Sequence, residues 1–243
     1  MLDCGFTYSH YEEILRLINN SDYKVVFFDT SRRRDMELII RHDVDVDLSL
    51  AHKMAVLENR YGIGTTYFIM LRSPFYNIFD KANFAYIRGI LALGHQIGLH
   101  FDESFCDSDD IDTIASDVDC EVRLLRDSFE APVCAVSFHR PSQLILNSDI
   151  KLNDGLVNTY GRIFTKEFKY ISDSRRAWKD GCLCGFLKAG INSPDRIQAL
   201  VHPLWWTDST LDAQTVIEGF LADKLRAFDS ELEKNIGIYN KIF

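Results

Sequence analysis

The stretch ELIIRHDVD, residues 37–45, places an apolar run directly before two aspartates. The run is short and continuous, as in a buried strand, and it delivers the chain into Asp43 and Asp45. These residues are two positions apart, so on an extended backbone both carboxylates point to the same face. Carboxylates placed side by side repel each other unless a cation lies between or beside them. The stretch therefore predicts a buried strand that ends in a metal site, with one carboxylate as ligand and the other as base.

The acidic strand end also has an interpretation without chemistry. Asp47 or Ser49 could cap the helix that follows, and Asp43 could pair with Arg41 or Arg72. The sequence around residue 43 therefore leaves a structural role and a functional role open, and only the rest of the chain can separate them.

The same order of strand, polar cluster and helix recurs along the chain. Apolar residues at helical spacing predict helices over residues 8–19, 48–61, 84–93 and 107–129. Apolar and β-branched runs predict strands over residues 24–28, 65–70, 96–99, 132–138 and 197–201. Residues 147–190 are less regular, and we expect long loops and short strands there that wall a groove. The alternation predicts an α/β fold of βα units, in which the carboxyl ends of parallel strands meet on one face.

The composition is that of an ordinary globular protein, with 47% hydrophobic and 26% charged residues. A chain of 243 residues suits a barrel of alternating strands and helices, and we expect one domain over residues 1–243. The formal net charge of -9 repels phosphate backbones and anionic membrane surfaces, which argues against nucleic acid as a partner. The basic clusters at residues 32–34 and 175–176 are too short to reverse that balance, and we expect the first to be solvated surface.

Neither a secretion signal nor a membrane span stands out in the sequence. The first residues lack a basic segment followed by an apolar run, and no stretch approaches roughly 20 apolar residues. We therefore expect a cytoplasmic chain, and its six scattered cysteines fit that compartment. Cys182 and Cys184 are closely spaced, but without a second cysteine pair or a nearby histidine we favour free thiols over a metal role.

Three histidines, His100, His139 and His202, stand where predicted strands end. His100 is a candidate metal ligand, and the imidazole of His202 could protonate a leaving amine. For His139 the structural alternatives are packing against Pro141 or pairing with Asp149.

The other histidines favour structural roles. His95 lies five residues before His100, so on a strand the two side chains point to opposite faces. We interpret His95 as a hydrogen-bonded structural histidine. His10 and His52 lie on predicted helices without an acidic or histidine partner at useful spacing, and we expect both at the surface.

Taken in order, these strand-end clusters resemble the motifs of the polysaccharide deacetylase family, also called the NodB-homology family or carbohydrate esterase family 4. Its first motif, Asp-x-Asp, matches residues 43–45, and its second, Gly-His-Glu-Ile-Gly-x-His, matches GHQIGLH at residues 94–100. Its third motif, Arg-x-Pro, falls on HRP at residues 139–141, and its final Leu-x-His falls on LVH at residues 200–202. The matched span runs from about Ile39 to Trp206.

The resemblance implies a fold, a cofactor and a role for each matched residue. The fold would be a distorted (β/α) barrel of about seven strands, which agrees with the alternation described above. Asp43 would be the general base, Asp45 and His100 would bind a divalent, zinc-like ion, and His202 would be the general acid.

The resemblance also points to substrate-binding residues. Asp173 and Trp178 look similar to the family's groove motif, although a buried core tryptophan is the alternative for Trp178. Arg140 lies within the third motif, and Trp205 follows the last one, where its ring could stack on a sugar. We expect these four residues to line a substrate groove.

Two departures from the family pattern concern the metal site. The family's second motif continues to another histidine four residues after the first, and that position is Ser104 here. His139 stands where the family has the arginine that orients its base. A histidine on the neighbouring strand end could supply the missing nitrogen, so we predict Asp45, His100 and His139 as ligands, with water in an open position.

Other ligands and other metals remain open. Asp102 and Glu103 are competing oxygen donors for the third position, beside Ser104 itself. Aspartate and histidine suit zinc, cobalt, nickel or iron alike, and the resemblance implies zinc.

The resemblance favours a metal-dependent deacetylase acting on an N-acetylated sugar or glycan intermediate. The expected setting is the assembly of surface polysaccharide or lipopolysaccharide. One alternative is a carbohydrate-binding protein that kept the fold and lost turnover. The other is an amidohydrolase acting on a non-sugar amide, because the same metal, base and acid serve any acyl amide.

Overall fold

A computed structural model describes residues 4–29, 36–106, 110–153 and 155–243. The basic cluster at residues 32–34, expected at the surface, lies outside the described residues, as does residue 107, where the fourth helix was predicted to begin. Within the described ranges, no helix combines the length and apolar character that a membrane span needs.

The described strands all run parallel and form one sheet. They are β1 (Lys24–Val25), β2 (Glu37–Val44), β3 (Thr66–Ile69), β4 (Gln96–Phe101), β5 (Val133–Phe138), β6 (Val157–Asn158), β7 (Lys169–Ser172) and β8 (Arg196–Val201). Their hydrogen-bonded order is β6-β5-β4-β3-β2-β8-β7, and β1 pairs with β2 beside this path. Strand β2 therefore lies inside the sheet, between β3 and β8.

Helices separate most of the strands. They are α1 (Tyr8–Asn19), α2 (Leu48–Arg60), α3 (Lys81–Ala92), α4 (Ile111–Phe129), α5 (Gln143–Asn147), α6 (Arg162–Lys166), α7 (Leu183–Lys188) and α8 (Ala213–Asn235). Asp47 caps α2 by accepting hydrogen bonds from the backbone N–H groups of Ser49 and Leu50, at 2.8 and 3.3 Å. The capping role expected at this acidic strand end therefore falls on Asp47, which leaves Asp43 and Asp45 free for other partners.

The sheet is curled, and Arg41 on β2 shows it. Its guanidinium lies 3.0 Å from the hydroxyl of Tyr160, just after β6, and 5.9 Å from the ring centre of Tyr170 on β7. Strands β6 and β7 are the two ends of the seven-strand path, and in a flat sheet they would stand roughly 29 Å apart at about 4.8 Å per strand. The prediction of an α/β fold with a distorted barrel of about seven strands is confirmed.

Alternate residues of β2 face the inside and the outside of this partial barrel. Ile39 belongs to a small interior core with Phe68 and Ala135, whereas Leu38 and Ile40 pack against the helices outside. Gly98 on β4 completes the interior packing, because an added Cβ atom would stand 2.4 Å from the ring of Phe68. The interior is thus apolar at the amino end of the strands, and it becomes polar toward their carboxyl ends.

Most predicted elements are present, with shifted boundaries. Strand β1 stops at Val25 instead of residue 28, and β2 continues to Val44, which pairs with Ile69 of β3. Helix α8 was not predicted. Only Val216 and Asp229 of its 23 residues are buried, so its sequence carries little of the periodic apolar pattern that marks a packed helix.

One expectation about α1 is wrong. His10, expected at the surface, is 6% exposed. It shares a stripe of α1 with Ile14 and Ile18, at a spacing of four residues, and that stripe packs inward. The apolar neighbours on the same helix face were the signal for burial.

Candidate active site

Polar side chains converge at the carboxyl edge of the sheet. Asp43 and Asp45 come from the end of β2, His100 from β4, His139 follows β5 and His202 follows β8. Their strands are neighbours or near neighbours in the sheet, so residues that are far apart in sequence meet at one point. The structure thus brings together all the residues predicted for catalysis and metal binding.

Three of these side chains form a compact cluster around Asp45. Its Oδ1 atom lies 3.0 Å from Nε2 of His100 and 3.3 Å from Nδ1 of His139, and those two ring nitrogens are 3.1 Å apart. A shared metal ion with ligand bonds of about 2.1 Å would set its ligand atoms roughly 3.4 Å apart in a tetrahedron. The donor set and the spacing therefore fit a divalent ion.

Hydrogen bonding prepares His100 for such a role. Its Nδ1 atom lies 3.3 Å from the backbone carbonyl oxygen of Ser137, which can only accept a hydrogen bond. Nδ1 therefore carries a proton, so Nε2 is the atom that a metal could take, and without metal Nε2 hydrogen-bonds Oδ1 of Asp45. A carbonyl that orients a metal-binding histidine in this way is a common outer partner of metal sites.

The cluster holds strong local charge. Burial opposes ionisation of Asp45, but hydrogen bonds from His100 and His139 lower its pKa well below the ordinary value. Burial likewise lowers the pKa of His100, but the negative charges of Asp43 and Asp45 outweigh it and raise the pKa overall. The pocket therefore stabilises positive charge at this point, whether carried by imidazolium or by a bound cation.

The competing third ligands point elsewhere. Asp102 caps a short turn through the backbone N–H of Ser104, at 3.0 Å, and lies 3.5 Å from Arg140. Glu103 accepts hydrogen bonds from the backbone and the hydroxyl of Ser142. Among the described residues, the cluster that could hold an ion at this edge is completed by His139.

Asp43 lies next to the cluster but has different partners. Its Oδ2 atom accepts hydrogen bonds from Arg41 and from the hydroxyl of Ser137, each at 3.2 Å, and lies 4.0 Å from Nε2 of His100. Its Oδ1 atom is buried without a hydrogen-bond partner in the described part of the chain. A buried carboxylate oxygen is costly to leave unsatisfied, so this atom is suited to receive a proton or a water.

Arg41 has more partners than the possible pairing with Asp43 that the sequence indicates. It is fully buried inside the barrel, where it bonds Thr159, Tyr160 and Asp43. It thereby gives Asp43 an arginine partner from β2 itself, whereas the resemblance in sequence would place that arginine at the position occupied here by His139. The signal was present in the sequence, since an arginine inside an apolar strand run is rarely buried without a paired charge.

His202 is oriented by Asp173. Nδ1 of His202 lies 2.6 Å from Oδ1 of Asp173, whose other oxygen accepts from the indole N–H of Trp206 at 3.1 Å. Burial lowers the pKa of His202, but the carboxylate of Asp173 outweighs this and raises it to about 9. Nε2 of His202 faces Asp45, 3.9 Å from its Oδ2 atom. The ring is therefore protonated near neutral pH and points its second N–H toward the cluster.

A cavity of about 300 Å³ opens over these groups. Arg140 and Trp205, two of the four predicted substrate-binding residues, line it, as does Arg175, which the sequence analysis did not select. Asp173 is fully buried, and its two oxygens bond His202 and Trp206. It therefore lies behind His202 and not on the surface of the cavity.

Trp178 also lies away from the cavity lining. Its ring stacks on Phe6, with ring centres 5.9 Å apart, and meets Trp206 edge to face at 6.4 Å. Trp178 is partly buried and packs against the core, which is closer to the alternative of a buried core tryptophan than to a groove residue.

His95 has the structural position expected for it. Nε2 lies 3.0 Å from the carbonyl oxygen of Ala55, and Nδ1 lies 3.2 Å from the backbone N of Thr65, on the outside of the barrel. It contacts none of the residues at the carboxyl edge, although it is only five positions from His100.

The fold and the site define the chain as a partial (β/α) barrel with a candidate Asp-His-His metal centre at its carboxyl edge. No family model matches the chain, and no curated protein matches it either. Solved structures do resemble it, and they come from the same family that the sequence motifs resemble.

Three of these structures illustrate the degree of likeness. A peptidoglycan deacetylase of Bdellovibrio bacteriovorus is 16% identical with a TM-score of 0.48, over 84% of this chain and 57% of that one. A carbohydrate esterase family 4 pseudoenzyme of Bacillus anthracis is 13% identical with a TM-score of 0.46, over 85% and 67%. A family 4 acetyl xylan esterase of Clostridium thermocellum, in complex with a cobalt ion, is 14% identical with a TM-score of 0.42, over 77% and 82%.

These overlaps all lie below a TM-score of 0.5, so the fold is assigned from the strand order and the curl of the sheet. The chain also spans only 62% of the length of a mutant form of the pseudoenzyme. The evidence for the chemistry of this protein therefore lies in its own side chains.

Proposed function

We propose that the protein is a metal-dependent hydrolase that removes the acetyl group from an N-acetylated sugar. One observation carries the proposal. The Asp45-His100-His139 cluster has the unpartnered carboxylate oxygen of Asp43 beside it, and the protonated His202 also faces it. Amide hydrolysis needs a base for water, an electrophile for the carbonyl and an acid for the amine, and the cavity supplies groups for each.

Each side chain has a defined task in this proposal. A divalent ion held by Asp45, His100 and His139 would polarise the acyl carbonyl and lower the pKa of a water molecule. Asp43 receives the proton of the attacking water at its free Oδ1 atom, while Arg41 and Ser137 hold the other oxygen in place.

His202 completes the reaction on the leaving-group side. It donates the proton on Nε2 to the amine nitrogen as the carbon–nitrogen bond breaks, and Asp173 keeps the ring oriented through Nδ1. In the metal-free protein the pKa of His202 is raised to about 9, and its bond to Asp173 favours the protonated ring that this task needs.

The cavity lining supports a sugar as the substrate. Trp205 offers an aromatic face for a pyranose ring, and Arg140 and Arg175 offer donors for hydroxyl or phosphate oxygens. We propose zinc as the metal and the cytoplasm as the compartment. The proposed substrate is a soluble or lipid-linked intermediate of surface polysaccharide or lipopolysaccharide assembly.

Metal analysis and acetate release test the proposal together. Untagged protein is loaded with zinc, dialysed and assayed for acetate release from N-acetylglucosamine, its nucleotide-linked form and short N-acetylated oligosaccharides. We expect release that a chelator abolishes and zinc restores. His139→Ala should lose the ion bound at this edge, whereas the matched control Asp102→Ala should keep it.

Three outcomes would contradict parts of the proposal. If His139→Ala still binds a full equivalent of metal at the Asp45-His100-His139 cluster, His139 is not a ligand. Bound metal and bound sugar without acetate release would favour a carbohydrate-binding protein. Acid release from small non-sugar amides but not from the sugars would favour the amidohydrolase.

A further inference from the structure

A second group of metal-binding side chains lies on the outside of the barrel, away from the candidate active site. It consists of Cys4, His10, Cys182 and Cys184, which we call the cysteine cluster. Cys4 belongs to the segment before α1, His10 lies in the first turn of α1, and the other two residues flank the start of α7. The sequence favours free thiols at residues 182 and 184 because no histidine is close to them in the chain. The fold brings His10 beside them.

The spacing of the donor atoms fits a single ion. The sulfurs of Cys4 and Cys184 are 3.5 Å apart, Nε2 of His10 lies 3.3 Å from the sulfur of Cys182, and all four atoms lie within 4.8 Å of one another. In a tetrahedral site with zinc–sulfur bonds of about 2.3 Å, neighbouring ligand sulfurs stand roughly 3.8 Å apart. The described positions therefore need only small shifts to surround an ion.

The second nitrogen of His10 also has the partner that metal-binding histidines usually have. Nδ1 lies 3.3 Å from Oε2 of Glu13, one turn along α1, and a carboxylate there fixes the proton on Nδ1. Nε2 is then left with its lone pair toward Cys182. Lys188 lies 2.8 Å from Oε1 of Glu13, so a cation stands close to a site that three thiolates would make negative.

Three thiols and one imidazole meet in a single partly buried group. Cys182 and Cys184 are buried, and Cys4 is exposed at the edge of the group. An ion would displace the thiol protons to solvent and bind the resulting thiolates, which is the usual exchange at cysteine metal sites. Soft sulfur ligands with one imidazole select zinc among the common divalent ions.

We propose that Cys4, His10, Cys182 and Cys184 bind one structural zinc ion. All four ligand positions are filled by protein, so the site is closed and has no place for a substrate. The ion would tie the segment before α1 to the segment between β7 and α7. That second segment begins next to Asp173, the residue that orients His202, and includes Arg175 of the cavity lining. This proposal does not depend on hydrolytic activity.

Cobalt spectroscopy on the whole chain distinguishes metal in the cysteine cluster from metal in the Asp45-His100-His139 cluster. The protein is produced without an affinity tag, reduced with a phosphine, stripped of metal and titrated with cobalt(II). Thiolate ligands give a near-ultraviolet charge-transfer band that aspartate and histidine ligands do not. We expect this band, together with intense tetrahedral visible bands, and we expect both to persist in Asp45→Asn, where the barrel site is impaired.

Variants and zinc-edge X-ray absorption identify the ligands. Cys184→Ser and Cys4→Ser should lose the charge-transfer band or weaken it, and each should lose one equivalent of tightly bound zinc. Cys120→Ser, which removes an exposed thiol elsewhere, is the control and should change neither. In Asp45→Asn loaded with zinc, absorption fine structure should show about three sulfur neighbours and one nitrogen.

The wild-type spectra test the zinc site without any variant, so a variant that fails to fold does not change the conclusion. Reduced, folded wild-type protein that binds cobalt without a charge-transfer band would overturn the proposal. So would a Cys4–Cys184 disulfide in freshly isolated protein whose reduced form takes up no zinc at the cysteine cluster. If the wild-type protein shows the cobalt–thiolate band but releases no acetate, the proposed function is contradicted and the zinc site is not.

Discussion

Strand β2 carries two buried polar groups on opposite faces, and they behave differently. Outside the barrel, His42 points to Glu58, 2.7 Å away, in a network that is completely buried. Inside the barrel, Arg41 bonds Asp43, and Asp43 lines the cavity. Both groups combine carboxylates with basic side chains at hydrogen-bond distance, so proximity alone does not distinguish a site from a structural core.

Each group has one ring or guanidinium nitrogen that is buried without a partner in the described residues, Nδ1 of His42 and Nε of Arg41, so the difference lies in the carboxylates. Both oxygens of Glu58 are filled, Oε1 by Tyr11 and His42, and Oε2 by Thr65 and Tyr67, at 2.5 to 2.8 Å. Asp43, by contrast, keeps one buried oxygen without a partner in the described part of the chain. A saturated carboxylate can only hold the fold together, whereas an unsaturated one beside a cavity can exchange protons.

The largest effect should come from the inner group, on activity. Asp43→Asn keeps the shape of the side chain but removes the base, so acetate release should fall by roughly 10²- to 10⁴-fold. The free energy of unfolding should fall as well, because the change removes the carboxylate charge that is paired with buried Arg41 at 3.2 Å. Initial rates and urea unfolding measure the two quantities. A variant with normal turnover would remove Asp43 from the mechanism.

The outer group should lose stability without losing activity. Glu58→Gln breaks a fully buried charged network and should lower the free energy of unfolding by about 3–5 kcal/mol. Turnover per folded molecule should stay near that of the wild type. Glu218→Gln changes an exposed glutamate and is the control. Equal unfolding midpoints for the two variants would show that the network around Glu58 contributes little to stability.

The smallest effect should appear in the pH dependence of stability, on the acid side for Glu58 of the outer group and on the alkaline side for His202, which faces Asp45 inside the barrel. Burial opposes ionisation of Glu58, but His42 lowers its pKa from 4.5 to about 2, so its contribution is complete above pH 4.5 and is lost as pH falls through 2. The pKa of His202 is raised from 6.5 to about 9, so its contribution is complete below pH 6.5 and is lost as pH rises through 9.

Urea unfolding of metal-free protein across this range measures both slopes. Asp173→Asn should flatten the alkaline slope, because His202 loses the carboxylate that raises its pKa, and should leave the acid slope unchanged. The alkaline limb of the activity profile should move to lower pH in the same variant. An unaltered alkaline slope would mean that Asp173 does not hold the proton on His202.

Much of the fold followed from local pattern. The bounds of α1 were predicted as the structure has them, and the end of α2 followed from Gly62, whose positive φ of 69° suits the left-handed turn there. Strand β6 and the short helices near it gave no such pattern, because two-residue strands and single helical turns carry too few residues for a period to show.

The candidate site was predictable in part. Strand ends identified Asp43, Asp45, His100, His139 and His202, because parallel strands bring their carboxyl ends to one edge. The role of Arg41 was underestimated, since its partner Thr159 is 118 positions away in sequence. The cysteine cluster was set aside for the same reason, because His10 and Cys182 are 172 positions apart.

The sequence by itself determined the alternation of strands and helices, the polar residues at the strand ends and the burial of β2. These properties depend on neighbouring residues and on the periods of helix and strand, which any short segment contains. Only the tertiary structure decided that the sheet curls over Arg41, that His139 and not Ser104 meets Asp45, and that Asp173 stands behind His202. Those contacts depend on which strands become neighbours, and the free energy that selects strand neighbours comes from packing across the whole barrel.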